Sequence, residues 1–160
     1  MSDASAREVQ LSFISLANTH LEQLRSVIRR SEDPEQRAIA AYVIAYADDK
    51  QSVVNDVQYA IQDIDDTVRS NAVRALAALS VLAAKDPKSG VKVSPTWLVE
   101  MLNSVTWTDR NNAAIALVTL TESRDASLLD HLRERAFPSL VEMARWKHLP
   151  HALPPYILLG

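Results

Sequence analysis

Three segments of the chain repeat nearly the same apolar pattern. They are RAIAAYVIAYA at 37–47, RSNAVRALAAL at 69–79 and RNNAAIALVTL at 110–120. Each begins with an arginine, has an alanine three residues later, and continues with small and apolar residues at helical intervals. That spacing places the apolar side chains on one stripe of a helix, with small residues where a second helix must come close. The repetition therefore predicts three helices that each pack along one side.

Another segment with helical apolar spacing precedes each of these phrases, at 21–28, 53–64 and 97–105. The repeated unit is therefore predicted to be a pair of helices whose second member is the phrase. An apolar segment also precedes the first pair, and its division near Asn18 or Thr19 is left open. Residues 125–160 carry a weaker fourth copy, in which Pro138 is expected to break or kink the first helix.

We predict one domain of helical repeats over 1–160, with repeats at approximately 19–47, 50–84, 94–122 and 125–160. The last repeat is predicted to be incomplete. Residues 85–93, which include Pro87 and Gly90, are predicted to form a loop inserted between two repeats.

Helix start signals stand at the expected boundaries. A side-chain oxygen there can accept from the free amides of the first turn, and a following proline loses nothing because its missing N–H would be unpaired anyway. The predicted caps are Asp33 before Pro34, Ser94 before Pro95, Asp65 or Asp66 before the second phrase, and Thr106 with Asp109 as a capping box.

The composition favours an all-α fold. Only two glycines occur, and glycine supplies the positive backbone angles that hairpins and phosphate-binding loops require. The chain has no cysteine, which excludes disulfides, thiolate catalysis and cysteine-bound zinc. A net charge of −3 argues against nucleic acid as a partner. No apolar run is long enough to span a membrane and no apolar leader is visible, so we expect a soluble, cytoplasmic protein.

The phrase consists of an arginine, an alanine three residues later and a leucine beyond it, with an aspartate in the preceding turn. This pattern resembles the HEAT repeat family over roughly residues 20–122 and more loosely elsewhere. The resemblance implies a right-handed α-solenoid of about four stacked antiparallel helix pairs, with the second helices lining a concave surface. It also implies a ladder of aspartates and arginines between repeats. The residues expected to form this structural ladder are Asp33, Arg37, Asp65, Arg69 and Arg110. The third copy departs from the spacing, because Asp109 is adjacent to Arg110.

Some positions of the phrase change chemistry while the frame around them stays constant. Tyr42, Arg74 and Ile115 are equivalent, and Tyr46 follows one turn after Tyr42; a second such set is Ala38, Ser70 and Asn111. Residues on a buried stripe must match their neighbours in volume, so this divergence indicates a face that can be tuned to a partner. An ordinary solvent face without a partner is the alternative interpretation.

We therefore expect a non-catalytic scaffold or adaptor, without a cofactor, that binds a protein or peptide along its second helices. Aromatic residues and arginine contribute most often to interface energy. The expected contact residues are Tyr42, Tyr46, Arg74 and Ile115.

An enzyme of HEAT-like fold is the alternative function. Trp107 lies beside Asp109 and Arg110, and an aromatic residue near an acid on helical repeats resembles the alkylpurine DNA glycosylases; a bilin lyase is suggested by fold analogy alone. A lone tryptophan is more often part of a core or of a junction between repeats. His148 and His151 have no carboxylate at a useful spacing, so no metal site is expected. The sequence contains no GxSxG or SxxK motif that would mark an activated serine.

The apolar sequence LPPYILLG occupies residues 153–160. The terminal unit of a repeat array needs a polar outer face, because no neighbour covers it. This stretch is therefore predicted either to belong to a longer array or to mediate self-association with another copy of the chain.

Overall fold

The structure is a computed structural model that describes residues 4–160, including the side chains of residues 6–83, 85–86 and 88–160. No strand occurs between residues 4 and 160, which confirms the all-α class. The helices are α1 (Ala4–Thr19), α2 (Leu21–Arg30), α3 (Pro34–Val43), α4 (Lys50–Ala60), α5 (Asp66–Lys85), α6 (Thr96–Met101), α7 (Trp107–Thr121), α8 (Ala126–Ala144) and α9 (Leu149–Leu159). Two short 3-10 helices, Ile44–Tyr46 and Pro87–Ser89, follow α3 and α5.

Along the chain, the helices follow the order of the four predicted repeats, with α2 and α3, α4 and α5, α6 and α7, and α8 and α9 in successive segments. The division into four repeats stays a prediction. The division near residue 18 is now defined, since α1 ends at Thr19 and α2 begins at Leu21. Of the two outcomes predicted at Pro138, the break is wrong, because α8 is a single helix that contains this residue. The kink stays a prediction, and Pro138 is exposed.

The chain divides into two compact units, one ending at Ala75 and the other running from Leu76 to Gly160. In the first unit, α2 packs against α3 and α4, and α1 packs against the 3-10 helix that follows α3. In the second unit, α6 packs against α7 and α8, while α9 packs against both α7 and α8. First helices thus contact first helices within each unit, as stacked helical repeats require. The single domain over 1–160 remains a prediction.

The apolar stripes of the three phrases form the cores of these units. Ala40, Ala72 and Ala113 are at most 2% exposed. Further along the same stripes the buried residues are Ile44, Ala47, Ala75, Leu76, Leu79, Ala116 and Leu117. The alanines let neighbouring helices approach closely, and the larger residues fill the space between them.

Aspartates cap several helices, two of them as predicted. The Asp33 carboxylate accepts from the amide of Glu35 at 2.9 Å, and the Asp65 carboxylate accepts from the amide of Thr67 at 2.9 Å. The same arrangement, not predicted, begins α4 at Asp49 and α8 at Asp125.

The predicted capping box at Thr106 is wrong. Its side chain makes no capping bond, and Ser104 Oγ instead accepts from the Thr106 amide and donates to Asp109 Oδ2 at 2.8 Å. The carboxylate of Asp109 is too short to reach back as glutamate does in such a box.

The chain between α5 and α6 contains the second 3-10 helix, which ends at Gly90 with a φ of +70°. This backbone angle is one that glycine adopts without strain. Within the described part of the chain, no helix is long and apolar enough to cross a membrane.

Candidate partner-binding surface

The equivalent positions two residues after each phrase alanine all face outward. Tyr42 is 38% exposed, Ile115 is 49% exposed, and Arg74 is exposed on α5. Two residues correspond to about 200° around a helix, so a side chain two positions from the buried alanine points away from the core. Ile39 on α3 is also outward, at 63% exposure. The second variable set, Ala38, Ser70 and Asn111, does not share this outward position, because Ala38 is buried at 5% exposure.

An aromatic cluster lies in the first unit. The ring centroids of Tyr42 and Tyr46 are 5.8 Å apart, and Phe13 of α1 approaches them edge-on at 6.3 and 5.4 Å. The two phenol oxygens share a hydrogen bond of 3.2 Å. This bond, together with burial and the charge of Tyr42, raises the pKa of Tyr46 to about 12. Tyr46 is half-buried and therefore offers less surface to a partner than Tyr42 does. Its main contribution is to orient the ring of Tyr42 through the shared hydrogen bond.

Sequence reasoning missed the contribution of α1 to this surface. Phe13 lies in the apolar segment that precedes the first pair, and nothing in its spacing identifies Tyr42 and Tyr46 as its contacts. Other apolar side chains of α1 are largely exposed, with Val9 at 55%, Leu11 at 59% and Leu16 at 47%. The first unit therefore presents both aromatic and aliphatic groups to its surroundings.

Arg37 joins the turns of two successive pairs. Its guanidinium donates to both carboxylate oxygens of Asp63, at 2.7 and 2.8 Å, and to the carbonyls of Ser31 and Glu32, at 2.9 and 3.2 Å. The hydrogen bond between them raises the pKa of Arg37 and lowers the pKa of Asp63. The partner is Asp63 rather than the expected Asp33 or Asp65, because those two carboxylates cap their own helices.

The other ladder arginines are also engaged. Arg69 donates to the carbonyls of Asp63 and Ile64, which precede it by the same intervals as Ser31 and Glu32 precede Arg37. Arg110 donates to Glu142 on α8 at 3.0 Å, and this bond lowers the pKa of Glu142. These arginines hold turns and neighbouring helices in place.

The residues of the alternative enzyme site do not present a joint reactive surface. Asp109 is 3% exposed and bonded to Ser104, and Arg110 is paired with Glu142. Trp107 stacks on Trp146, with ring centroids 3.6 Å apart. The buried carboxylate therefore maintains a turn and cannot reach a substrate from its present position.

His148 and His151 come together, with ring centroids 4.2 Å apart, but no set of three histidine, aspartate or glutamate residues able to hold a metal occurs among the described residues.

Comparison with known families identifies the repeated pair. The family model for HEAT repeats matches residues 21–118, which is more than half of the chain, and the chain therefore belongs to this family. Neither a curated protein nor a solved structure matches the chain. HEAT repeats commonly act as scaffolds for protein interactions and are typically non-catalytic.

Proposed function

We propose that this member of the HEAT repeat family is a non-catalytic scaffold that binds a protein or peptide through the outward residues of its second helices. The observation that carries the proposal is the exposure of Tyr42, Arg74 and Ile115 at one repeated position whose chemistry differs in each copy. Within the first unit, Tyr46 and Phe13 support the exposed ring of Tyr42.

The chemistry of these positions suits recognition. Tyrosine and arginine are among the residues that most often contribute binding energy, and a supported ring loses little conformational entropy when it is buried. The exposed Ile39 and the exposed apolar side chains of α1 add apolar surface whose burial by a partner would be favourable. We assign Asp33, Arg37, Asp65, Arg69 and Arg110 to the structural ladder and not to the partner.

The test is a pull-down from extract of the source cells, with retained proteins quantified by mass spectrometry. We expect a set of proteins that wild type retains and the double variant Tyr42→Ala/Arg74→Ala loses. The matched control is Phe137→Ala/Arg133→Ala, which removes an exposed aromatic residue and an exposed arginine from the second unit. Helical content by circular dichroism checks that each variant is folded. Identical protein sets from wild type and the Tyr42 variant would contradict the proposal.

We also propose that α9 mediates self-association. Leu153, Tyr156 and Ile157 are each 49% exposed or more, and their spacing places them along one face of the helix. Ala152 and Pro155 of the same helix are buried. Light scattering over a concentration series should detect dimers in wild type and monomers in Leu153→Glu/Ile157→Glu. A monomeric wild type at high concentration would exclude this proposal.

A further inference from the structure

Four rings meet in the second unit, where α7 begins and α8 passes into α9. Trp107 stacks on Trp146, the ring of His151 lies 4.9 Å from Trp107, and the ring of His148 lies 4.2 Å from His151. Trp107, Trp146 and His151 are half-buried and His148 is exposed. We call these four residues, with the exposed cations Arg145 and Lys147, the tryptophan corner.

The charge of this region is opposite to that of the whole chain. Residues 143–160 contain Arg145 and Lys147 but no aspartate or glutamate, whereas the chain has a net charge of −3. The nearest acids along the chain to members of this corner are Glu142, which is bonded to Arg110, and Asp109, which is buried and accepts from Ser104. Cations after the end of α8 also favour the helix dipole, but the dipole does not account for a cluster of four rings beside them.

Exposed apolar residues lie near the members of this corner in the sequence. Leu149 is 68% exposed between the two histidines in sequence, and Val105 is fully exposed two residues before Trp107. A ligand on this corner would therefore meet aromatic edges and aliphatic groups together with two full positive charges. Such a combination favours a partner that is apolar and negatively charged at once.

We propose that the tryptophan corner binds an acidic segment of a protein, in which aspartate or glutamate side chains alternate with apolar ones. The acids pair with Arg145 and Lys147, and the apolar side chains cover the exposed ring edges and Leu149. A second copy of the chain fits this corner less well, because a two-fold contact would bring the same cations together. Nucleic acid fits less well too, since two cations in an acidic protein neutralise few phosphates.

The test starts from a displayed library of random peptides selected on the intact protein. We expect wild type to enrich acidic peptides with apolar residues, whose affinity falls by about tenfold in Arg145→Glu/Lys147→Glu. The matched control is Lys85→Glu/Lys88→Glu, which reverses two exposed cations of the same unit and gives the same net charge. That control should bind the selected peptides as wild type does.

A second measurement localises the contact. In a Trp97→Phe background, a selected peptide should change the fluorescence of the remaining tryptophans, and the milder variant Trp146→Phe should reduce that change without unfolding the protein. Enrichment of basic or uncharged peptides, no enrichment, equal loss in the Lys85 control, or binding of a single-stranded oligonucleotide in place of peptides would each overturn the proposal. Tyr42→Ala/Arg74→Ala should leave peptide binding unchanged, so this inference and the proposed function fail separately.

Discussion

At the scale of single residues, the shared hydrogen bond of Tyr42 and Tyr46 has a consequence at high pH. The folded pKa of Tyr46 is about 12, against an ordinary value of 10.0. Because the folded value is raised, the contribution of this group to stability is complete below pH 10.0 and is lost as the pH rises toward about 12.

We expect Tyr42→Phe to lower the pKa of Tyr46 toward its ordinary value, because the largest cause of the raised pKa is the bond to Tyr42. The phenolate absorbance during an alkaline titration measures this shift, and thermal unfolding at the same pH values measures the loss of stability. Tyr156→Phe removes an exposed phenol and should leave the ionisation of Tyr46 near pH 12 unchanged. If the absorbance of Tyr42→Phe still shows an ionisation near pH 12, burial alone sets the pKa of Tyr46.

The arginines show what residue-scale reasoning could and could not predict. Their recurrence at one position of each phrase indicated a structural role before any coordinates. Their partners did not follow from that recurrence, since Asp63 and Glu142 lie 26 and 32 residues beyond the arginines that bind them. A distant carboxylate becomes the partner only when packing brings it within reach, and several aspartates nearer in sequence were equally suitable by charge.

At the scale of elements, α3 and α8 contain prolines in different positions. Pro34 is the first residue of α3, where its missing N–H has no partner to lose, and Pro138 lies well inside α8. An interior proline removes one hydrogen bond of the helix and crowds the preceding turn.

We predict that Pro138→Ala stabilises the protein by about 1–2 kcal/mol, which is the gain in helix propensity less the flexibility added to the unfolded chain. Urea unfolding followed by circular dichroism measures the change. Pro34→Ala is the matched control and should change the stability little, or lower it. If Pro138→Ala is no more stable than wild type, α8 has adapted to the ring at no cost.

At the scale of the whole molecule, the chain consists of two compact units, and aspartates cap helices in both. Asp33 begins α3 in the first unit and Asp125 begins α8 in the second. Repeat proteins gain stability from each unit and its immediate neighbours, so local damage should stay local.

We expect Asp33→Ala and Asp125→Ala each to cost about 1 kcal/mol, the usual value of an N-cap bond. Hydrogen exchange followed by mass spectrometry should show faster exchange mainly up to Ala75 for the first variant and mainly from Leu76 onward for the second. Glu32→Ala removes an exposed acid beside Asp33 and serves as the control. Uniform acceleration along the chain in both variants would mean that the units unfold together.

The amino-acid sequence by itself determined the all-α class, the helices of the repeated phrases, two of the helix caps and the stripes that form the core. These features depend on interactions within a few residues, namely the helical period and the bonds of the first-turn amides. The spacing around Ala40, Ala72 and Ala113 predicts the stripes, and Asp33 before Pro34 predicts a cap. Only the tertiary structure decided that Arg37 binds Asp63, that Phe13 supports Tyr42, and that Trp107 meets Trp146. Such contacts join residues far apart in sequence, and their choice depends on how whole helices pack, which no local pattern records.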